Sequence, residues 1–320
     1  MTGNTNIWLN GIMGVVVGDA LGCPVQFESR EEVARHPVTG MRGYGTFNLP
    51  EGSWTDDSSL TLALLESILR VGTVDLDDIM ENFMKWLYDG EFTPYGESYD
   101  IGRGTMQAIN RYKRNRKAKK CGGDEEWNNG NGSLMRIIPA CIYCSVMESR
   151  GVYSDRDAIE VIHAVGGLTH AHIRSNIACG LYFFMVKQIL TGEGSLQDRM
   201  QEGLTQGFAF YESYLADKES LHYYDRLRDL TVFKCLTAEK IKGSGYVVDT
   251  LEAAVWSLIT TERFDQALLK AVNLGDDTDT VGAVAGGLAG LYYGYDSIPE
   301  AWISSIKRRE WIEDMCQMQA

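Results

Sequence analysis

The sequence predicts an all-α protein folded as a single domain over residues 1–320. Apolar residues recur at helical spacing through most of the chain, and nothing alternates with period two for long. No linker divides it, so the helices are expected to share one core. Hydrophobic residues at 44% and charged residues at 23% describe an ordinary soluble globule. The net charge of −14 argues against nonspecific binding to nucleic acid or to an anionic membrane. The N-terminus lacks the basic region and cleavage pattern of a signal peptide, and no apolar run is expected to reach membrane-spanning length. Seven cysteines, odd in number and scattered in apolar helical contexts, point to a reduced, cytoplasmic setting.

In chain order, Ile7 to Leu21 reads as an apolar helix with Gly11, Gly14, Gly18 and Gly22 along it, closing on Asp19. Cys23 to Glu51 is proline- and glycine-marked loop. Trp54-Thr55-Asp56-Asp57-Ser58-Ser59 opens a helix carrying Leu60, Leu62, Leu64, Leu65, Ile68 and Leu69. Leu76 to Leu87 is amphipathic, with Ile79, Phe83, Trp86 and Leu87 on one side. Asp100-Ile101-Gly102-Arg103-Gly104 opens a helix to about Arg111. From Arg111 to Lys120 seven of ten residues are basic, which reads as a solvated loop or helix end or as an attractor of acidic substrate. Trp127 to Arg136, rich in Asn and Gly, is a junction that reads as a plain turn or as one whose free N–H groups can cradle phosphate. Ile137 to Met147 is helical, so its Cys141 and Cys144 read as core rather than a redox pair. Ala158 to Val165, Ile173 to Leu190, Leu196 to Leu215, Val247 to Leu258 and Phe264 to Val272 follow as helices. His170 and His172 interrupt them two residues apart, poorly spaced to share a metal on one helical face, so at most one is functional. Trp302 to Met315 is the expected last helix.

The chemistry concentrates at two helix starts. Asp276-Asp277-Thr278-Asp279-Thr280 precedes an apolar run in which Gly282, Gly286, Gly290 and Gly294 recur every four residues. A helical glycine costs roughly 1 kcal/mol against alanine, so four in register imply close approach of another helix or a ligand; the first helix has the matching stripe. Capping explains one Thr or Asp at a helix start, not two clusters of acids. Adjacent buried carboxylates repel, and a shared cation relieves that. An all-oxygen donor set suits Mg²⁺, Mn²⁺ or Ca²⁺ rather than Zn²⁺.

Four elements together, Gly18-Asp19-Ala20-Leu21-Gly22, Trp54-Thr55-Asp56-Asp57, Gly130-Asn131-Gly132-Ser133-Leu134-Met135-Arg136 and Asp277-Thr278-Asp279-Thr280-Val281-Gly282, resemble the ADP-ribosylglycohydrolase family in order and spacing, over about residues 7 to 295. The resemblance implies an orthogonally packed helical bundle with a binuclear Mg²⁺ or Mn²⁺ centre in a cleft. It implies Thr55, Asp56, Asp57, Asp277, Asp279 and Thr280 as metal ligands. It implies Asp100, with Asp57 and Asp279, as the catalytic acids. Asp19, Trp54, Asn131, Gly132, Ser133 and His170 would bind substrate, with the Asn131–Ser133 loop on the diphosphate and His170 on the distal ribose. The implied partner is an ADP-ribosylated protein or an ADP-ribose-containing small molecule, with nucleic acid only as an ADP-ribosylated substrate and the chain a monomer. Two residues depart from the family pattern: Asp276 adds an acid, and Gln26 stands where many members carry Glu, with Glu28 two residues on.

Both lines of reading converge on metal-assisted hydrolysis of a glycosidic bond, with charge developing at the anomeric carbon and an acid orienting water. Three alternatives stay open: an ADP-ribose-binding protein without turnover, a metal phosphohydrolase, and an interaction partner such as an immunity factor against an ADP-ribosylating toxin. The acceptor linkage is expected to be set by the loops Met41–Gly52, Gly90–Tyr99 and Ala118–Asn129.

Overall fold

The computed structural model describes residues 6–317. Among them the chain forms sixteen α-helices: α1 Ile7–Gly22, α2 Arg30–Arg35, α3 Asp56–Val71, α4 Leu76–Asp89, α5 Arg103–Asn115, α6 Ile138–Ser149, α7 Asp155–Gly166, α8 Ile173–Thr191, α9 Leu196–Tyr214, α10 Glu219–His222, α11 Leu230–Lys234, α12 Val247–Ile259, α13 Phe264–Val272, α14 Thr278–Tyr293, α15 Glu300–Ser305 and α16 Arg309–Gln317. The β-pairing found among the described residues amounts to isolated bridges, so the fold is an all-α bundle around one continuous hydrophobic core.

The central pair is α1 and α14. A Cβ added at Gly14 would land on the Gly286 carbonyl, at Gly18 on the Gly282 carbonyl, and at Gly290 on the Asn10 carbonyl. The glycine stripes are therefore a backbone-to-backbone seam, which only residues without a Cβ permit. Beside the seam α1 buries Ile12, Met13, Val15, Val16, Val17 and Leu21. Each is worth about 1.5–3 kcal/mol against exposure, which outweighs the helical cost of the glycines. Helix α8 runs through the other half of the core against α6, α7, α9, α12 and α14.

Several expectations change. Ile7–Val25 is, by length and composition, long and apolar enough to cross a membrane, contrary to the reading that no run reaches that length. Of its most apolar stretch 83% is buried inside the fold, so here it is a core helix, apolar all round because it is covered all round. The loop after α1 contains α2, opened by a capping box in which Ser29 and Glu32 exchange side-chain and backbone bonds. The last helix is two, α15 and α16, broken at Arg308, which holds a left-handed φ of 51°. The basic run is the exposed end of α5 and the turn after it. Cys141 and Cys144 are buried free thiols in α6.

Candidate active-site cleft

The seam sets the site. It brings the C-terminal end of α1 against the N-terminal end of α14, and Asp19 on α1 then seats the start of α3. Both Asp19 oxygens accept from the Thr55 N–H at 3.0 Å, and the Ser58 N–H and hydroxyl donate to Oδ2 at 2.9 and 2.5 Å. Two helix N-termini, carrying partial positive charge, therefore converge with their acids facing each other. Thr55 caps α3 through the Asp57 N–H at 3.4 Å, whereas Asp277 makes no capping bond at α14. Capping thus accounts for Thr55 alone among Thr55, Asp56, Asp57, Asp277, Asp279 and Thr280.

Beside them lies a cavity of about 600 Å³. Asp56, Asp100, Asp277 and Thr280 form its acidic wall, while Thr55, Asp57 and Asp279 sit behind that wall. The Asp57 Oδ2 accepts from Thr55 and Thr280 hydroxyls at 3.3 Å each, so it bridges the two helix starts. Asp57 Oδ1 and Asp279 Oδ2 are buried without a hydrogen-bond partner among the described residues. Burial, and then the neighbouring carboxylates, push Asp56, Asp57 and Asp279 well above the usual carboxylate range. Burial raises Asp277 and Asp100 too, opposed by bonds from Asn131 and Gln26 respectively. Burial pushes Asp19 up to about 7 against its bonds from Ser58 and Thr55. Among the described residues no three His, Cys, Asp or Glu side chains close on a single point as a preformed metal cluster. The fold accordingly supplies a carboxylate-lined cleft, not a finished binuclear centre.

The substrate-side residues divide. Gly132, Asn131 and His170 line the cavity; Asp19, Trp54 and Ser133 are buried outside it. Asp19 is saturated by α3. Trp54 Nε1 donates to the Phe92 carbonyl at 3.4 Å, and the Ser133 hydroxyl lies 3.6 Å from the Cys179 thiol. All three support the cleft from behind. The Asn131 N–H is bonded to the Gly245 carbonyl and therefore does not join a phosphate cradle. Its side-chain amide instead donates to Asp277 Oδ2 at 2.6 Å and Thr250 Oγ1 at 3.0 Å. His172 turns away to cap α8, accepting from the Arg174 N–H at 3.1 Å.

Gln26 is buried, and its Nε2 donates to Asp100 Oδ2 at 2.9 Å, while its Oε1 is unpartnered among the described residues. Asp100 lines the cavity and holds a left-handed φ of 52°. The added acid Asp276 is exposed and outside the cavity. Its backbone ties to the Phe27 N–H and Glu28 carbonyl at 2.7 and 2.8 Å. Glu28 does not line the cavity either. Sequence reasoning missed Arg103, Gln107 and Phe27 in the lining, and Thr250 and Ser58 as supports. Ser58 lay inside a quoted motif, whereas Thr250 had no local signal. Of the three expected edge loops, Ala118–Asn129 alone reaches the cavity, through Trp127 and Asn128. Trp127 and Phe27 stand at the cavity exposed by 72% and 66%.

Fold and cleft define an all-α protein with paired acidic helix starts beside a polar cavity. The chain belongs to the ADP-ribosylglycohydrolase family, whose model matches residues 8–320. It is 31% identical to the ADP-ribosylarginine hydrolase Tri1 of Serratia proteamaculans over 96% of this chain and 76% of that protein. It is also 31% identical to the ADP-ribosyl-[dinitrogen reductase] glycohydrolase of Rhodospirillum rubrum, covering 93% and 89% of the two chains. A solved structure described as an ADP-ribosylglycohydrolase-related protein complex matches with a TM-score of 0.74 at 29% identity, over 97% of this chain and 95% of that one. Family membership supports a glycohydrolase acting on ADP-ribosylated substrates.

Proposed function

We propose that the cleft hydrolyses the glycosidic bond joining ADP-ribose to an acceptor, with ADP-ribosyl-arginine the first candidate, in a reaction that depends on two Mg²⁺ or Mn²⁺ ions. The observation that carries this reading is the pair of unpartnered buried oxygens, Asp57 Oδ1 and Asp279 Oδ2, on two facing helix starts beside the cavity. A buried carboxylate oxygen without a donor is costly, and an oxygen-seeking cation is the group that fits it. The donors for it are Thr55, Asp56, Asp57, Asp277, Asp279 and Thr280. Such cations supply Lewis-acid polarisation of substrate oxygens when bound.

The chain's own residues supply the rest. Asp100, raised above the ordinary carboxylate range by burial, is a stronger base than a free carboxylate and suits orienting and deprotonating a water. Asn131 fixes the rotamer of Asp277. The Gly132 N–H, at the cavity lining, has no protein acceptor among the described residues, which leaves it for a substrate oxygen. The arginine linkage rests on the Serratia relative, which is named for ADP-ribosylarginine.

One observation favours a second reading, a weak hydrolase or ADP-ribose-binding protein of the immunity type. Gln26 occupies Asp100 with a neutral amide and leaves its own oxygen unpartnered. The deciding experiment measures release of ADP-ribose from ADP-ribosyl-arginine and ADP-ribosyl-serine peptides, with Mg²⁺ and with EDTA. The hydrolase reading expects release that EDTA abolishes and that Asp279→Asn lowers at least about 100-fold with the helical fold intact. Full turnover by Asp279→Asn would sink it. ADP-ribose binding without release, with turnover gained in Gln26→Glu, would establish the second reading instead.

A further inference from the structure

We propose that Thr169 and Arg136 are positioning residues that hold His170 in its Nε2–H tautomer, so that the ring offers the cleft a hydrogen-bond donor and recognises an acceptor oxygen of the substrate. The argument is one of donors and acceptors. Arg136 is fully buried, and its guanidinium has donors only. Its Nη2 donates to Thr169 Oγ1 at 2.8 Å. The same Oγ1 lies 2.8 Å from His170 Nδ1. Thr169 is buried, and among the described residues its hydroxyl hydrogen has no other acceptor than that ring nitrogen. Were Nδ1 protonated, two hydrogens would compete for one contact and a buried hydroxyl would be left without an acceptor, which is the costly arrangement. Nδ1 is therefore the acceptor, and the proton sits on Nε2.

The other ring edge faces the cleft. Nε2 has no hydrogen-bond partner among the described protein residues, and His170 lines the cavity. Two glycines make room for that edge. A Cβ at Gly132 would come within 2.7 Å of His170 Cε1, and one at Gly104 within 3.0 Å of Nε2. The backbone fixes the ring's base through His170 N–H to the Gly166 carbonyl at 3.2 Å. Burial, and then the Arg136 charge, depress His170 to about 3, so the ring stays neutral and the single proton is not duplicated. A ribose hydroxyl or ether oxygen or a phosphate oxygen meets this donor; a group offering only hydrogens does not.

Two-bond nitrogen–proton correlation spectra of the unliganded chain read the tautomer directly, with His170 assigned by the signals lost in His170→Gln. The expected result is a proton on Nε2. Thr169→Val should lose that single tautomer and weaken ADP-ribose binding roughly ten-fold, the scale of one hydrogen bond. Thr169→Ser should restore both. A proton on Nδ1 in the wild-type chain, or an unchanged tautomer in folded Thr169→Val, overturns the proposal. If Thr169→Val does not fold, the wild-type spectrum decides alone. The inference rests on the proposed function only for the probe: a wild-type chain with the Nε2–H tautomer that fails to bind ADP-ribose refutes that function and leaves the tautomer standing.

Discussion

Asn131 and Gln26 do the same job on different acids: each donates a side-chain N–H to one oxygen of a carboxylate that lines the cleft. Groups that orient a metal ligand typically alter metal affinity 10–100-fold when removed. Asn131→Ala should therefore weaken Mg²⁺ or Mn²⁺ binding by about 10–100-fold with only a small change in melting temperature, read by calorimetric titration. Undiminished affinity would show that Asp277 is held by other means. The acids themselves were legible in the sequence because Asp56, Asp57, Asp277 and Asp279 sit at helix starts in numbers that capping does not need. Their supports were not. Gln26 meets Asp100 across 74 positions of chain, and Asn131 meets Asp277 across 146. Asp19, read as a substrate ligand, is turned inward by Thr55 and Ser58, and a motif does not say which way its aspartate points.

Among the helices, α1 and α14 matter most, because their seam fixes where both acidic starts lie. At Gly18 an added methyl would land on the Gly282 backbone, which has no rotamer to move. At Gly11 it would meet only side-chain tips, Ile142 Cδ1 and Leu291 Cδ2 at 3.1 Å. Gly18→Ala should cost about 1–3 kcal/mol or more, and Gly11→Ala should stay near zero, since helical alanine repays much of a small clash. Urea melts of the two variants check this, and equal losses would refute a backbone seam. The seam was readable as a four-residue glycine period on two apolar runs. The break between α15 and α16 was not, because the apolar spacing of Trp302, Ile303, Ile306 and Ile312 runs through it. What breaks the helix is tertiary: Lys307 N–H bonds to the Gly52 carbonyl, and Arg308 reaches the Thr93 carbonyl at 2.8 Å.

Taken whole, the molecule carries a net charge of −14 and gathers several acids at one buried place. Folding raises Asp56, Asp57 and Asp279, chiefly by burial and then by their mutual repulsion, and takes Asp19 to about 7 from an ordinary value of 3.8. A carboxyl raised by folding holds its proton more tightly folded than unfolded. Its stabilising contribution is complete below pH 3.8 and is lost as pH climbs through the folded value, which for Asp19 is about 7. A divalent cation bound as proposed would take the place of the protons on Asp56, Asp57 and Asp279 in the folded arrangement only, so it should restore what rising pH removes at those three acids. In EDTA the melting temperature should fall from about pH 4 to about pH 7. With Mg²⁺ or Mn²⁺ at roughly 100 times its dissociation constant, the protein gains about 2.7 kcal/mol, or roughly 5 °C at this size. That gap should widen with pH, because protons compete with the cation at the acid end. Asp57→Asn should lift the melting temperature in EDTA at the upper end of the range, where the charge it removes is most costly, and should erase the cation's effect. Melting curves with and without EDTA across the range measure all three. Parallel curves with a constant gap would mean that the cation does not bind at these carboxylates.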